Sequence, residues 1–218
     1  MVAPSRGGAT DPRARRAWWL KTLHRWHWIS SALCLAGMLL FAVTGITLNH
    51  SGSIEARPTV DARIAPLPEA LRVELAALAE GLGRNADDPL PPSVVTWLNQ
   101  RIGVRVGGRA AEWSAEEVYL PLPRPGGDAW LRLDLVEAEV EYERTDRGWI
   151  AYLNDLHKGR NTGPAWSLFI DVFALACVVF SITGLLILQV HATNRASVWP
   201  VVGLGVVVPV LLALLFIH

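Results

Sequence analysis

Histidines are the residues of this chain whose type and spacing point to chemistry. Six are present: His24, His27, His50, His157, His191 and His218. Imidazole is the usual axial ligand of a b-type haem and also suits copper and zinc. A haem held by two histidines needs imidazoles from different helices that face each other across the porphyrin. A single histidine at a helix end is more simply a polar residue at a polar boundary. The pattern shifts that weighing, because the histidines fall into two groups along the chain. His24 and His27 precede one long apolar run and His191 ends another, while His50 ends the first run and His157 precedes the second. The expected ligand pairs are therefore His24 or His27 with His191, and His50 with His157. His24 is the favoured member of its pair and His27 is accessory. His218 is a chain terminus and is assigned nothing.

The elements that must hold these residues are membrane spans. Residues 28–48 carry no charged side chain over 21 positions, residues 164–190 carry only Asp171, and residues 198–217 carry none over 20 positions. A bilayer core needs about 20 apolar residues as a helix. The fold class expected is an α-helical membrane protein with three transmembrane helices and a small α+β domain inserted between the first two. Asp171 is an intramembrane acid and a functional candidate by default. Its alternative is a packing hydrogen bond near the interface. Cys34 and Cys177 lie mid-span and read as small packing residues. From His27 to His50 the straight helical distance is about 35 Å, the full thickness of a membrane. Two haems so separated need tilt, inward-turned ring edges or bridging aromatics such as Phe41 or Phe180 to exchange electrons.

The charge pattern sets an orientation. Six basic residues, Arg6, Arg13, Arg15, Arg16, Lys21 and Arg25, precede the first span against Asp11 alone. Residues 51–163 carry 13 Lys/Arg and 18 Asp/Glu, a balance of −5. The positive-inside rule then puts the N-terminus in the cytoplasm and the inserted domain outside. Tryptophans 18, 19, 26, 28, 166 and 199 cluster at the span ends, where amphipathic rings meet headgroups. The whole chain has net charge 0, so no basic field invites nucleic acid. Two cysteines exclude a disulfide scaffold or a thiolate zinc site as the organising feature. Arg15-Arg16 faintly resembles a twin-arginine signal, but the apolar run is too long and no small-residue cleavage site follows.

The boundaries expected are a disordered cytoplasmic N-terminus at 1–17, a first transmembrane helix at 18–50, and a Pro-rich linker with one helix at 51–92. An α-β-β-β module follows at 93–163, then helices at 164–191 and 198–218. Within the module a helix from Ser93 to Gly103 leads into one strand from Glu112 to Leu120. Two more strands carry Ala129, Leu131, Leu133 and Leu135, and then Val140 and Tyr142, at period two. The acids Glu137, Glu139, Glu141 and Glu143 read as a solvated face. No nucleophile–base set, P-loop or dinucleotide fingerprint occurs.

The first two spans are also related to each other. Leu23-His24-Arg25 matches Leu156-His157-Lys158, and Phe41-Ala-Val-Thr44-Gly45 matches Phe180-Ser-Ile-Thr183-Gly184. The spans run in opposite directions, so this is a short inverted repeat. Together with Leu23-His24-Arg25-Trp26, Leu156-His157-Lys158-Gly159 and Thr183-Gly184-Leu185-Leu186, the chain resembles the PepSY-associated transmembrane helix family over about residues 20–195. That resemblance implies a bacterial inner-membrane protein with a PepSY-like domain in the periplasm. Some relatives are membrane reductases of ferric siderophores that carry haem on membrane histidines; others belong to electron-transfer systems with flavinylated partners. His24 and His157 match the family's Leu-His positions, while His50 and His191 rest on the pairing argument. Three spans are fewer than in the larger reductases, and no NAD(P)H or flavin site is visible.

The function expected is a haem-b electron-transfer subunit, at most part of a transmembrane reductase system. It takes electrons from quinol or a cytoplasmic donor and passes them to a periplasmic flavoprotein or ferric chelate. The alternative is a membrane-anchored PepSY-like interaction module with no redox cofactor. Copper or other metal handling is a third reading.

Overall fold

A computed structural model describes residues 11–55, 57–82, 87–192 and 195–217. The chain divides into two compact units, residues 1–39 with 169–218, and residues 40–168.

Helix α1 runs Pro12–Asn49, α5 runs Pro164–His191 and α6 runs Val198–Phe216. Among the described residues these are the three helices long and apolar enough to cross a membrane, their 18-residue apolar stretches having mean hydropathies of 2.1, 2.4 and 2.5. The chain is a multi-pass membrane protein. At 38 residues α1 is about 57 Å long, well beyond a hydrocarbon core of about 30 Å, so part of it extends past the apolar region. It starts earlier than expected. Residues 12–17, assigned above to a disordered N-terminus, are helical. The reason is a cap: the Arg13 N–H donates to the Asp11 carboxylate at 3.0 Å, and Pro12 occupies the first turn. Residues 1–10 of that segment, and His218, lie outside the described residues.

In the first unit α1 and α5 pack antiparallel. Gly37 faces the Phe173 ring, where any Cβ would collide with ring carbons. Cys34 is buried against Cys177. Small residues at such points let helices approach closely in a membrane. Large apolar side chains of α6, such as Leu204, Leu211 and Leu214, are exposed along its length, as for a helix that meets lipid.

The second unit is built on a six-stranded antiparallel sheet. Its strands are β1 Thr59–Pro66, β2 Asp87–Pro89, β3 Ala110–Trp113, β4 Glu117–Pro121, β5 Gly127–Asp134 and β6 Glu139–Asp146. Their order across the sheet is β1-β6-β5-β4-β3-β2. Helices α2 (Glu69–Leu82) and α3 (Pro92–Arg101) supply Leu75, Ala79, Val94 and Leu98 to one apolar core with Val118, Leu120, Leu131, Leu133 and Val140. The period-two reading of residues 129–135 holds: Ala129, Leu131, Leu133 and Leu135 are all buried.

Three features differ from the sequence reading. Residues 51–92 are more than a linker with one helix, because they contribute β1 and β2 to the sheet. β1 is an edge strand exposed along nearly its whole length, so it lacks a buried face to mark it, and its terminal Pro66 needs no further partner. The single strand expected from Glu112 to Leu120 is a hairpin, β3 and β4. Ser114 closes its turn by accepting the Glu117 N–H at 2.9 Å and donating to the Glu117 carbonyl at 2.8 Å. Finally, α4 (Trp149–Lys158) follows β6 and carries His157. The acidic face of β6 is partly neutralised, since Arg132 bridges Glu141 at 3.0 Å and Glu117 at 3.6 Å.

Candidate functional site

Every described histidine commits its Nδ1. His24 Nδ1 lies 2.8 Å from the Leu20 carbonyl, His50 Nδ1 3.0 Å from Ile46 and His191 Nδ1 2.9 Å from Ile187. A carbonyl oxygen only accepts, so each Nδ1 carries the hydrogen and donates it one turn back along its own helix. Nε2 is left as the ring nitrogen with no partner among the described residues. A histidine that binds metal through Nε2 almost always donates its other N–H in this way, which fixes the tautomer and ring orientation.

His24 and His191 are brought together in the first unit. Their ring centroids are 5.7 Å apart with planes at 86°. The two imidazoles are thus near neighbours, and their donor type suits a haem iron. Beside His24 lies an open hollow of about 440 Å³ lined by Lys21, His24, Arg25, Trp28 and Ile29. Two cations at its rim suit the acidic substituents of a haem. The described residues hold no cluster of three or more His, Cys, Asp or Glu able to bind a bare metal ion. A tetrapyrrole brings four of its own ligands and needs only the pair.

His27 and His157 are held in a different way, and alike. His27 stacks on the Phe180 ring at 4.7 Å and 14°. Its Nδ1 lies 3.2 Å from the Phe180 carbonyl and 3.1 Å from Thr183 Oγ1, and its Cε1 faces Gly184. In the second unit His157 sits 4.9 Å from the Phe41 ring, 2.7 Å from Thr44 Oγ1, and with Cε1 toward Gly45. Both threonines are buried, and each donates its own hydrogen to a carbonyl one turn back: Thr183 to Val179 at 2.7 Å and Thr44 to Leu40 at 2.8 Å. Each hydroxyl therefore accepts from the imidazole Nδ1–H. The repeated Phe-x-x-Thr-Gly segment is thus an imidazole cradle used twice. The repeat was visible in the sequence, but its occupant in the first unit is His27 and not His24.

His157 owes its place to the sheet. The Gly126 N–H donates to the buried Asp155 carboxylate of α4 at 2.9 Å, and Arg147 and Arg160 approach that carboxylate at 3.8 and 3.4 Å. Gly159 ends α4 in the left-handed conformation, and Trp166 Nε1 donates to the Leu156 carbonyl at 2.9 Å. Thr47 adds a bond to Asn154 at 2.8 Å. His50 is exposed, its ring bonds the Ile46 carbonyl, and among the described residues no hydrogen bond or ring contact joins it to His157. Asp171 is exposed on α5 and likewise has no described bonding partner.

Compared with known proteins, residues 18–218 match the model of the PepSY_TM-like family. No curated protein and no solved structure matches the chain.

Proposed function

Because the chain belongs to the PepSY_TM-like family, we propose that it is a membrane electron-transfer subunit that holds one haem b between His24 and His191. The reading extends to its setting: a bacterial inner membrane, the N-terminus in the cytoplasm, and a flavoprotein or ferric chelate as acceptor on the far side. The observation that carries it is the neighbouring pair, two imidazoles with centroids 5.7 Å apart whose Nδ1 hydrogens are already committed to backbone carbonyls. His24 and His191 are the iron ligands. Lys21 and Arg25 balance the acidic substituents, and the exposed apolar side chains of α1 and α5 keep water out by meeting lipid. When bound, the haem supplies a one-electron carrier. The chain's own part is ligation, orientation and insulation.

An absorption spectrum of the purified protein, oxidised and then dithionite-reduced, tests this directly. The expected result is a low-spin haem at one per chain, lost in His24→Ala and in His191→Ala and retained in His50→Ala. A wild type made with ample haem supply that binds none overturns it. The anchored interaction module then stands instead. The exposed edge of β1 is the feature that favours that second reading, since an unpaired strand edge offers a partner backbone hydrogen bonds.

A further inference from the structure

Helix α4 sits where a soluble domain element would not. Its Asn154 accepts from Thr47 of α1 at 2.8 Å, and its His157 bonds Thr44 at 2.7 Å. Residues 44 and 47 belong to the uncharged run 28–48, so α4 runs antiparallel alongside the last turns of the first span. The same stretch of α1 exposes Val43 at 58% and Ile46 at 65%, as a lipid-facing surface does. Five residues separate the end of α4 from α5, the second span.

The side chains of α4 divide accordingly. Leu153, Leu156 and His157 turn inward and meet Leu40, Phe41 and Trp166. Asp155 turns to the sheet at Gly126. Trp149 is left 70% exposed and Tyr152 44% exposed. Lys158 and Arg160 are exposed at the other end. Tryptophan and tyrosine with an apolar body and a polar tip, next to long cationic side chains, are the composition of a membrane interface.

We propose that α4 is a membrane-boundary helix: it stands beside the last turns of α1, with Trp149 and Tyr152 in contact with lipid at the headgroup level and the long Lys158 side chain reaching back to headgroup phosphates. The occupant of its exposed face is the bilayer itself, continuous with the lipid contact of α1 in the same unit. α4 is then a membrane element that ties the sheet, through Asp155, to the bilayer surface. Nothing in this depends on a haem.

The test uses the full chain in phosphatidylcholine–phosphatidylglycerol nanodiscs. A spin label is placed at Tyr152→Cys in a background lacking Cys34 and Cys177, with Val136→Cys as the control. Val136 follows β5 and is 71% exposed. Position 152 should be more accessible to oxygen than to a water-soluble nickel chelate, and position 136 the reverse. Equal nickel accessibility at the two positions overturns the proposal. Quenching by brominated lipids gives a second reading without cysteine changes. Trp149→Phe should lower the share of tryptophan fluorescence that brominated headgroup-proximal carbons quench. An unchanged share in a variant that keeps its strand signal also overturns it.

Discussion

A histidine's use depends on which ring nitrogen is free, and in this chain backbone and hydroxyl oxygens make that choice. His24, His50 and His191 use the carbonyl four residues back, a partner any helix provides, so their tautomer follows from local structure. His27 and His157 depend on a threonine more than one hundred residues away. The histidines were legible as candidates from their type and position. The pairing of each cradle with its occupant was not, because both Leu-His and Phe-x-x-Thr-Gly recur in the sequence and only packing joins one to the other. A different residue gives a pH-dependent prediction. Burial, with Asp128, Glu112 and Glu117 nearby, pushes the Tyr119 phenol above its ordinary value. A folded-state value above the unfolded one of about 10 contributes stability that is complete below pH about 10. That contribution is lost as pH rises through the raised folded value. Ultraviolet titration of the phenolates should show a late component that is smaller by one phenolate in Tyr119→Phe. A late component of undiminished size in that variant refutes the assignment.

Among the elements, the long helices were legible and the short ones were not. An uncharged run of 20 residues has one stable form in lipid, since only a helix satisfies every backbone group by itself. β1 lacked a buried face, the break between β3 and β4 rests on one serine, and the N-cap of α1 rests on one aspartate. α4 is the element that carries His157, and Gly126 is the contact that docks it. Gly126 has φ +75°, and an added Cβ would lie 2.7–2.9 Å from Tyr152. Gly126→Ala therefore meets both a left-handed backbone cost of roughly 1–3 kcal/mol and a collision with α4. Its thermal unfolding midpoint, followed by strand circular dichroism, should fall clearly below that of Gly108→Ala, a glycine with open space around it. Equal midpoints would mean that α4 does not dock through Gly126.

Across the whole molecule the charge pattern predicts an orientation. Reporter fusions after residue 12 and within 191–197 should report the cytoplasm, and one within 84–92 the periplasm, because six basic residues precede the first span. A cytoplasmic signal from 84–92 would reverse the assignment of sides. The three spans, the inserted α+β domain and the family were all readable from sequence, for one physical reason. Long apolar runs, period-two alternation and short motifs are local in the chain, and local patterns survive being written in one dimension. Tertiary structure alone decided which imidazoles meet. It brought His24 to His191, gave His27 and His157 to the two threonine cradles, and left His50 bonded to its own helix. It also recruited β1 to the sheet and set α4 against α1. Those choices depend on contacts between residues far apart in the chain, where each side chain offers several partners and only the packed backbone selects one.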